Sequence, residues 1–272
     1  MRTALCTMDG VTYDATAFQQ AEDFGTKRRY LECPECRGPA FYRGPSRNGR
    51  EACFGARPHA EGCTLAALEL DGAATGEGAE EDEILTTGQR IVLDFNYGTP
   101  GTTEGPQPAG VPVRTGNAGT RGAGCGPAVR ETMTRRLRPI LRTLIESEEF
   151  RRSNQLIEVP AVGEFTIADF FVPFSAVTED DVGSYRGFWG MVPAPRRDGN
   201  GTLWLNSGGQ EDMSALLDQR YWEETRQRFH IEDEEDIAGA YILVIGELRR
   251  GPTGKRYVPI TEPSRFTLRL AR

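Results

Sequence analysis

The sequence predicts an α+β fold in which a small N-terminal module rich in cysteine precedes a mainly β domain. Three observations support this prediction. Residues 31–63 hold four of the six cysteines and one of the two histidines. From residue 155 onward, short stretches of alternating apolar and polar residues predict successive strands. Apolar residues at helical spacing predict helices at 128–153 and 211–229.

The composition predicts a soluble bacterial protein with generous loops. Hydrophobic residues make up 38 % of the chain, below the roughly 45–50 % of typical globular domains. The N-terminus lacks the apolar core of a signal peptide, and no stretch approaches the roughly 18–20 apolar residues of a membrane span. We therefore expect a cytoplasmic protein with no membrane partner. Every basic residue except Lys27 and Lys255 is arginine, which indicates a GC-rich genome.

The charge balance limits which nucleic acids the chain can bind. The net charge is −8, from 32 basic and 40 acidic residues. Because non-specific binding to duplex DNA depends on neutralised phosphates, tight binding of that kind is not favoured, although a local basic groove is compatible with this charge. The acidic run at 232–236 is predicted to be a solvated loop.

The cysteine-rich stretch has the spacing of a metal site. Cys33 and Cys36 form a Cys-x2-Cys turn, and two thiolates at that spacing can bind one tetrahedral ion. Cys53, His59 and Cys63 offer three candidates for the other two places. In a reducing cytoplasm, clustered thiols indicate a metal before a disulfide.

We predict one structural Zn²⁺ ion bound by Cys33, Cys36, His59 and Cys63, with Cys53 as the alternative ligand in a four-cysteine site. A module of about 60–70 residues barely forms its own core, and a bound metal supplies folding free energy. The loop between the two halves is long enough for a hairpin, which predicts a treble-clef-like arrangement. A redox-active pair, a disulfide and a catalytic zinc ion are the competing interpretations.

The remainder of the chain is predicted to form a connecting region and a second domain. We assign residues 1–70 to the zinc-binding module. Residues 71–127 begin with an acidic linker, contain a strand at 90–95 and end in a loop rich in Gly, Pro and Thr. Residues 128–272 are then a helix followed by the β domain.

The order of elements in the second domain predicts an OB-like barrel. An OB-fold is a five-stranded barrel with a helix between strands three and four, and the helix at 211–229 would occupy that place. One predicted strand is surplus, so a generic α+β sheet with a helix on one face is the alternative. The predicted strands lie at 169–177, 185–192, 201–206, 240–250 and either 255–260 or 265–270.

Two tryptophans of the predicted barrel are candidates for contact with single-stranded nucleic acid. Strand alternation places Trp189 opposite Phe188, and Trp204 opposite Leu203 and Leu205, which suit the barrel interior. OB-folds commonly stack bases on the outer face of strands two and three. Packing in a core explains the same tryptophans equally well. The candidate phosphate contacts are Arg186, Arg196, Arg197 and Arg256.

A pattern of residues in the first 65 positions is similar to that of a known family. The pattern is an Ala and an Asp-Gly near the start, a Cys-x2-Cys turn, an Arg in the following hairpin, and a downstream Cys. In these features the stretch resembles the N-terminal zinc-finger region of the CoiA-like competence protein family, although Cys53 stands where that family has His before Phe54. The resemblance implies a DNA-related setting such as DNA uptake, repair or anti-phage defence. The matching residues are Ala4, Asp9, Gly10, Cys33, Cys36, Arg43, Cys53, Phe54 and Cys63.

The nuclease-like domain of that family has no counterpart in this sequence. A restriction-type nuclease needs acidic metal ligands and a lysine a few residues beyond the second acid. Lys27 lies in the predicted zinc module, and Lys255 follows Glu247 by eight positions, across a turn. The sequence also lacks a nucleophile elbow, a Walker motif, a dinucleotide fingerprint and a His-Glu-x-x-His motif.

Three hypotheses for function follow from these patterns. The leading one is a non-enzymatic protein that binds single-stranded DNA or RNA and has a structural zinc finger. The second is an adaptor whose β domain docks a partner enzyme in a defence or DNA-processing complex. The third is an enzyme built around the strand that contains Asp94 and the Gly-rich loop that follows it.

Overall fold

The computed structural model of the chain describes residues 1–45, 49–66, 90–95 and 132–271. Over these residues the chain is α+β, with four sheets and a few short helices. Apart from residues 90–95, the predicted connecting region at 71–127 lies outside the described residues, and so does its Gly-rich loop. Within the described ranges, no helix is both long enough and apolar enough to cross a membrane.

The N-terminal module is an antiparallel five-stranded sheet with two one-turn helices. Its elements are β1 (Thr3–Cys6), β2 (Thr12–Asp14), α1 (Ala15–Phe18), α2 (Phe24–Lys27), β3 (Leu31–Glu32), β4 (Pro39–Arg43) and β5 (Cys53–Ala56). The strand order is β2-β1-β3-β4-β5, and the segment with α1 and α2 connects β2 on one side of β1 to β3 on the other.

Three aromatic rings form the centre of the module's small core. Phe18 is the last residue of α1, and its ring centroid lies 5.3 Å from the centroids of Tyr42 and Phe54. The Tyr42 and Phe54 centroids are 5.5 Å apart, and all three side chains are fully buried. Such tilted aromatic pairs are typical of well-packed cores. Because successive strand residues face opposite sides, Phe41 points away from this core and toward the rest of the protein.

A second group of elements forms a mixed four-stranded sheet with two helices. The elements are β6 (Arg90–Leu93), β7 (Thr132–Arg135), α3 (Leu137–Glu146), α4 (Glu148–Arg151), β8 (Leu156–Val159) and β9 (Gly163–Thr166). The strand order is β7-β6-β8-β9, and only the last pair is antiparallel.

The remaining elements form two further sheets. They are α5 (Ile167–Phe170), β10 (Phe171–Pro173), β11 (Tyr185–Val192), β12 (Ala194–Arg197), β13 (Leu203–Asn206), β14 (Ser214–Leu217), α6 (Trp222–Arg228), β15 (Ala240–Glu247), β16 (Arg249–Arg250), β17 (Arg256–Ile260) and β18 (Phe266–Arg269). One sheet has the order β10-β11-β15-β18, and the other has the order β12-β13-β14-β17-β16.

The sheet of β10, β11, β15 and β18 is a middle layer that is covered on both faces. Phe188 and Ile242 point from one face into a core shared with the five-stranded sheet. Trp189 and Leu243 point from the other face into a core shared with α3 and the sheet of β6–β9. Two-sided burial explains why β15 has an unbroken apolar run instead of alternation, since every residue from Ala240 to Gly246 is buried.

The predicted OB-like barrel is not observed. In the described part of the chain the strands form open sheets of four and five strands that pack face to face, with no closed barrel. The barrel had room for only one of the two predicted strands at 255–260 and 265–270. Both are present, as β17 and β18, and they belong to different sheets. Leu203 and Leu205 do point into the core between the sheets, as strand alternation predicts.

The predicted helix at 211–229 is wrong over its first half. That half is β14, which pairs antiparallel with β13 and parallel with β17. Met213, Ala215 and Leu217 alternate into the core, so their spacing fits a strand as well as a helix. Asp218 then caps a short 3₁₀ turn, and α6 covers only the second half.

Two other predicted elements are divided into shorter ones. Only Phe171–Pro173 within the predicted strand at 169–177 is extended. The predicted helix at 128–153 contains β7, α3 and α4, and the two helices separate at Ser147, whose hydroxyl accepts a hydrogen bond from the following turn. By contrast, the predicted strand at 185–192 is confirmed as β11 over its whole length.

Arginines of the N-terminal module dock onto the acidic run that was predicted to be a solvated loop. The Arg28 guanidinium forms two hydrogen bonds with the Glu235 carboxylate, at 2.9 and 2.7 Å. Arg43 and Arg57 donate to backbone carbonyls just before β15. The arginine side chains therefore attach the N-terminal module to the segment that leads into β15.

A glycine lets the module approach this segment closely. Gly239 has φ +80°, a left-handed conformation that favours glycine, and it follows the acidic run. A Cβ atom at this position would lie 2.3 Å from the Phe41 ring. A side chain at residue 239 would therefore displace Phe41 and separate the module from the middle layer.

Candidate metal centre and a cation-lined cavity

Two turns at one end of the N-terminal sheet bring four potential metal ligands together. Cys33 and Cys36 lie in the turn between β3 and β4, and His59 and Cys63 lie in the segment that follows β5. The antiparallel pairing of β4 with β5 places the start of one strand beside the end of the other, so both turns lie at the same end of the sheet.

The distances within this cluster suit one tetrahedral metal ion. The Sγ atoms of Cys33 and Cys63 are 3.8 Å apart, and the Cys36 Sγ lies 3.4 Å from Nδ1 of His59. The four ligand atoms all lie within 4.8 Å of one another. A tetrahedron with metal–sulfur bonds of about 2.3 Å and metal–nitrogen bonds of about 2.0 Å has edges of about 3.5–3.8 Å.

The backbone of the Cys-x2-Cys turn is held by its own hydrogen bonds. The Cys33 amide donates to the Gly38 carbonyl at 2.8 Å, and the Arg37 amide donates to the Cys33 carbonyl at 3.0 Å. Gly38 also allows the two turns to touch, because a Cβ atom there would lie 2.4 Å from the carbonyl oxygen of Pro58. The residue after Pro58 is the ligand His59, so this contact sets the distance between the two halves.

A carboxylate also ties the two halves together. Glu35, in the middle of the Cys-x2-Cys turn, accepts hydrogen bonds from the backbone amide and the hydroxyl of Thr64, at 2.8 and 2.6 Å. These hydrogen bonds hold the pKa of Glu35 below its ordinary value. Glu35 is therefore occupied in positioning the residue next to the ligand Cys63 and is not free to act as a general base.

The surroundings of the thiols favour one preformed thiolate. Backbone amides of Ala60 and Gly38 donate to the Cys36 sulfur and lower its pKa to about 6. Burial raises the pKa of the Cys63 thiol to about 11. Since thiolate is the form that binds metal, a cation entering the site would displace the proton from Cys63.

Cys53, the alternative ligand, lies outside this group of four. It begins β5 and pairs with Arg43, whereas His59 follows the opposite end of that strand. A strand rises about 3.3 Å per residue, so the length of β5 separates Cys53 from the cluster. Within the described residues, the group that could hold a metal therefore matches the first of the two predicted ligand sets.

The prediction that Trp189 lies on an exposed face is wrong. Its side chain is 8 % exposed and packs in the core between the middle sheet and α3. The Arg151 guanidinium lies 5.9 Å from the centroid of its ring. Strand alternation placed Trp189 on the correct face of β11, but a second layer covers that face.

Three of the four predicted phosphate-binding arginines are engaged within the protein. Arg186 donates to the Asp169 carbonyl at 2.9 Å. Arg197 forms an ion pair with Glu234 and its guanidinium lies 5.1 Å from the centroid of a tryptophan ring. Arg256 donates to the backbone carbonyls of two loops, and its side chain is 12 % exposed. These contacts give each guanidinium a structural role.

The other two predicted residues, Trp204 and Arg196, line one cavity of 250 Å³. Trp204 is partly exposed on the outer face of the five-stranded sheet. Arg29 and Lys255 line the same cavity, and sequence analysis missed both. In the sequence, Lys255 stands out only because it is one of two lysines in the chain. No sequence pattern indicates Arg29, which reaches the cavity because the N-terminal module docks there.

An acidic residue in the cavity is already occupied by neutral donors. Asp198 accepts hydrogen bonds from the Trp204 indole at 3.0 Å and from two backbone amides of its own turn. These bonds lower the pKa of Asp198 below its ordinary value. The carboxylate therefore fixes the plane of the Trp204 ring beside the three basic side chains.

Comparison with known proteins finds no protein-family model and no curated protein sequence that matches this chain.

Proposed function

We propose that the chain is a non-enzymatic protein that binds single-stranded nucleic acid and whose N-terminal module is stabilised by one structural zinc ion. The observation that carries this proposal is the cavity in which a partly exposed Trp204 lies beside basic side chains. A partner-docking adaptor is the alternative that the test below distinguishes.

The donor set of the N-terminal cluster supports zinc in a structural role. Three thiols and an imidazole are typical zinc ligands, and soft sulfur donors disfavour magnesium and calcium. Four protein donors leave no open position for a water or a substrate, which a catalytic zinc ion requires. The module also has a small aromatic core, so a metal would contribute a large share of its folding free energy.

The Trp204 surface supports binding of unpaired bases in preference to duplex. Stacking of a base on an exposed aromatic ring is worth about 1–3 kcal/mol and requires a base that is free of its complementary strand. Arg196 is exposed on the same surface, and no ion pair with a carboxylate engages it within the described residues. The net charge of −8 weakens long-range attraction to duplex DNA.

The cellular setting is proposed from the resemblance to the CoiA-like family. That resemblance covers the zinc-binding module and supports a role in DNA uptake, repair or anti-phage defence. The ligands Cys33, Cys36 and Cys63 carry it. A reducing cytoplasm fits this proposal, because free thiols persist there and remain available to bind metal.

Binding of a labelled single-stranded oligonucleotide at low salt tests the proposal. We expect Trp204→Ala and Arg196→Ala each to weaken binding, the former by about 5–150-fold from loss of one stack. Arg152→Ala is the matched control, because this arginine is 79 % exposed and lies outside the cavity. Absence of binding by the zinc-loaded protein, or equal losses in the control, would favour the adaptor.

Metal analysis tests the zinc assignment separately. Protein purified under reducing conditions should contain one zinc per chain and should lose the fold of its N-terminal module in a strong chelator. Metal-free protein with an intact N-terminal module would contradict the structural role.

A further inference from the structure

We infer that the cavity lined by Trp204 takes a nucleoside monophosphate unit, with its base against the Trp204 ring and its phosphate among Arg29, Arg196 and Lys255. The inference deepens the proposed function and rests on it, because it names the chemical unit that the same surface would recognise. The unit is either a free nucleotide or the phosphorylated end of a strand.

The cavity is built where the N-terminal module meets the five-stranded sheet. Arg29 belongs to the module, and its neighbour Tyr30 packs so closely on the loop after β13 that a Cβ atom at Gly209 would lie 1.9 Å from the tyrosine hydroxyl. Lys255 donates a hydrogen bond to the carbonyl of Gly209. The cavity therefore has walls from distant parts of the chain and exists only while the module is docked.

One side of the cavity is closed by contact between two loops. The Gln210 side-chain amide donates to the Thr253 carbonyl at 3.3 Å, which ties the loop after β13 to the turn before β17. Gly209 and Lys255, next to these loop residues in the chain, are buried. A cavity of only 250 Å³ suits one end of a strand or a small molecule better than several nucleotides of a continuous strand.

The basic groups of the cavity are not in direct contact with a carboxylate of the described residues. Within the part of the chain that the structure describes, no carboxylate forms an ion pair with Arg29, Arg196 or Lys255. The nearby Asp212 accepts a hydrogen bond from the Gly209 amide at 2.7 Å, and Asp198 is held by the Trp204 indole. The charges of Asp212 and Asp198 act on Lys255 and Arg196 without direct contact, so the protein offsets the positive charge of the cavity only in part.

One of these basic groups is buried and a second is partly buried. Lys255 is 6 % exposed, and burial lowers its pKa to about 8. The Arg29 Nε atom is buried and has no hydrogen-bond partner, and burial together with the Arg196 charge lowers the pKa of Arg29. Burying a cationic group without a contacting anion is costly, so the site is suited to an anion that restores the lost interactions.

The number of cations and the size of the cavity favour a phosphate monoester. A monoester carries about −1.5 to −2 charge near pH 7 and has three acceptor oxygens, whereas a diester within a strand carries only one charge. The volume of 250 Å³ is just below the roughly 300–1,000 Å³ of sites for drug-sized ligands, which limits the occupant to one small unit. Trp204, backed by Tyr257 at 6.2 Å between ring centroids, provides a flat wall for the base.

Isothermal titration of the zinc-loaded full chain with AMP, adenosine and inorganic phosphate tests this inference. We expect AMP to bind, and adenosine and inorganic phosphate each to bind at least about 10-fold more weakly, because each lacks half of the contacts. Arg196→Ala and Lys255→Met should each weaken AMP binding by about 10-fold or more, whereas the exposed Arg152→Ala should not. Arg196 is exposed, so that variant remains informative if Lys255→Met fails to fold.

Oligonucleotides distinguish the two sources of the phosphate and separate this inference from the proposed function. Tighter binding of a 5′- or 3′-phosphorylated strand than of its hydroxyl counterpart identifies a strand end, and binding of AMP alone identifies a free nucleotide. If AMP does not bind and phosphorylated and hydroxyl strands bind equally, the inference is wrong and the proposed function stands. If AMP binds through these residues but no strand does, the proposed function is wrong and the cavity assignment stands.

Discussion

Gly38→Ala should weaken metal binding because it separates the two halves of the candidate metal centre. The added Cβ atom would lie 2.4 Å from the Pro58 carbonyl oxygen, and ordinary contact begins at 3.4 Å. The segment that carries His59 must therefore move by about 1.0 Å, whereas metal–ligand distances tolerate roughly 0.2 Å. We expect an affinity loss of about 10–100-fold, as for other residues that position ligands, and a cost of about 1–3 kcal/mol from overpacking.

Competition with a chromogenic chelator measures this affinity, and denaturant unfolding measures the stability. Gly25→Ala is the matched control, because it adds the same methyl group to the same module at a position with no heavy atom within 4 Å. Gly25 lies in α2, where Ala is favoured over Gly by about 0.5–1 kcal/mol. The control should therefore retain the metal and be equally or more stable.

Equal metal affinity for the two variants would refute the reasoning. It would mean that the contact between Gly38 and Pro58 does not set the distance between the ligand pairs. If Gly38→Ala lowers the free energy of unfolding but leaves the metal affinity unchanged, the added methyl group disturbs only the packing of the two turns and not the ligand geometry. Both measurements are needed, since the metal also contributes to folding.

Three further predictions concern the metal ligands, the core and the docking of the module. Cys53→Ser should leave one zinc per chain, whereas Cys63→Ser should abolish tight binding; loss of metal in both variants would restore the four-cysteine site. Trp189→Ala should cost about 3–5 kcal/mol in denaturant unfolding because the ring is buried, and a cost near zero would indicate a surface role. A double-mutant cycle on Arg28 and Glu235 should give a coupling of about 1 kcal/mol, since only the arginine is well buried; zero coupling would show that this ion pair does not hold the module.

The candidate ligand set follows from local spacing, which explains why sequence analysis reached it. Cys33 and Cys36 share one turn, and His59 and Cys63 are four residues apart in another. The sequence could not choose between Cys53 and His59, because both precede Cys63 at short range. In the structure, β5 begins at Cys53 and runs toward His59, so the extended strand that pairs with β4 separates Cys53 from the cluster.

Strand faces were likewise predictable, but the layers that cover them were not. Alternation in β11 separates Phe188 from Trp189 correctly, and both side chains are buried in different cores. Whether a face meets water or a second layer depends on residues far away in the chain, such as those of α3. The same limit explains β14, where the apolar spacing suits either helix or strand and pairing with β13 and β17 decides.

By itself, the sequence determined that metal ligands gather between residues 33 and 63, the position and faces of β11, and the inward direction of Leu203 and Leu205. These features depend on neighbours a few residues apart, whose geometry the backbone imposes. Only the tertiary structure decided that Trp189 is buried and that Arg29 and Lys255 meet beside Trp204. Arg29 and Lys255 are more than 200 positions apart in the chain. The packing of the whole chain brings such residues together, because no local pattern encodes their distance.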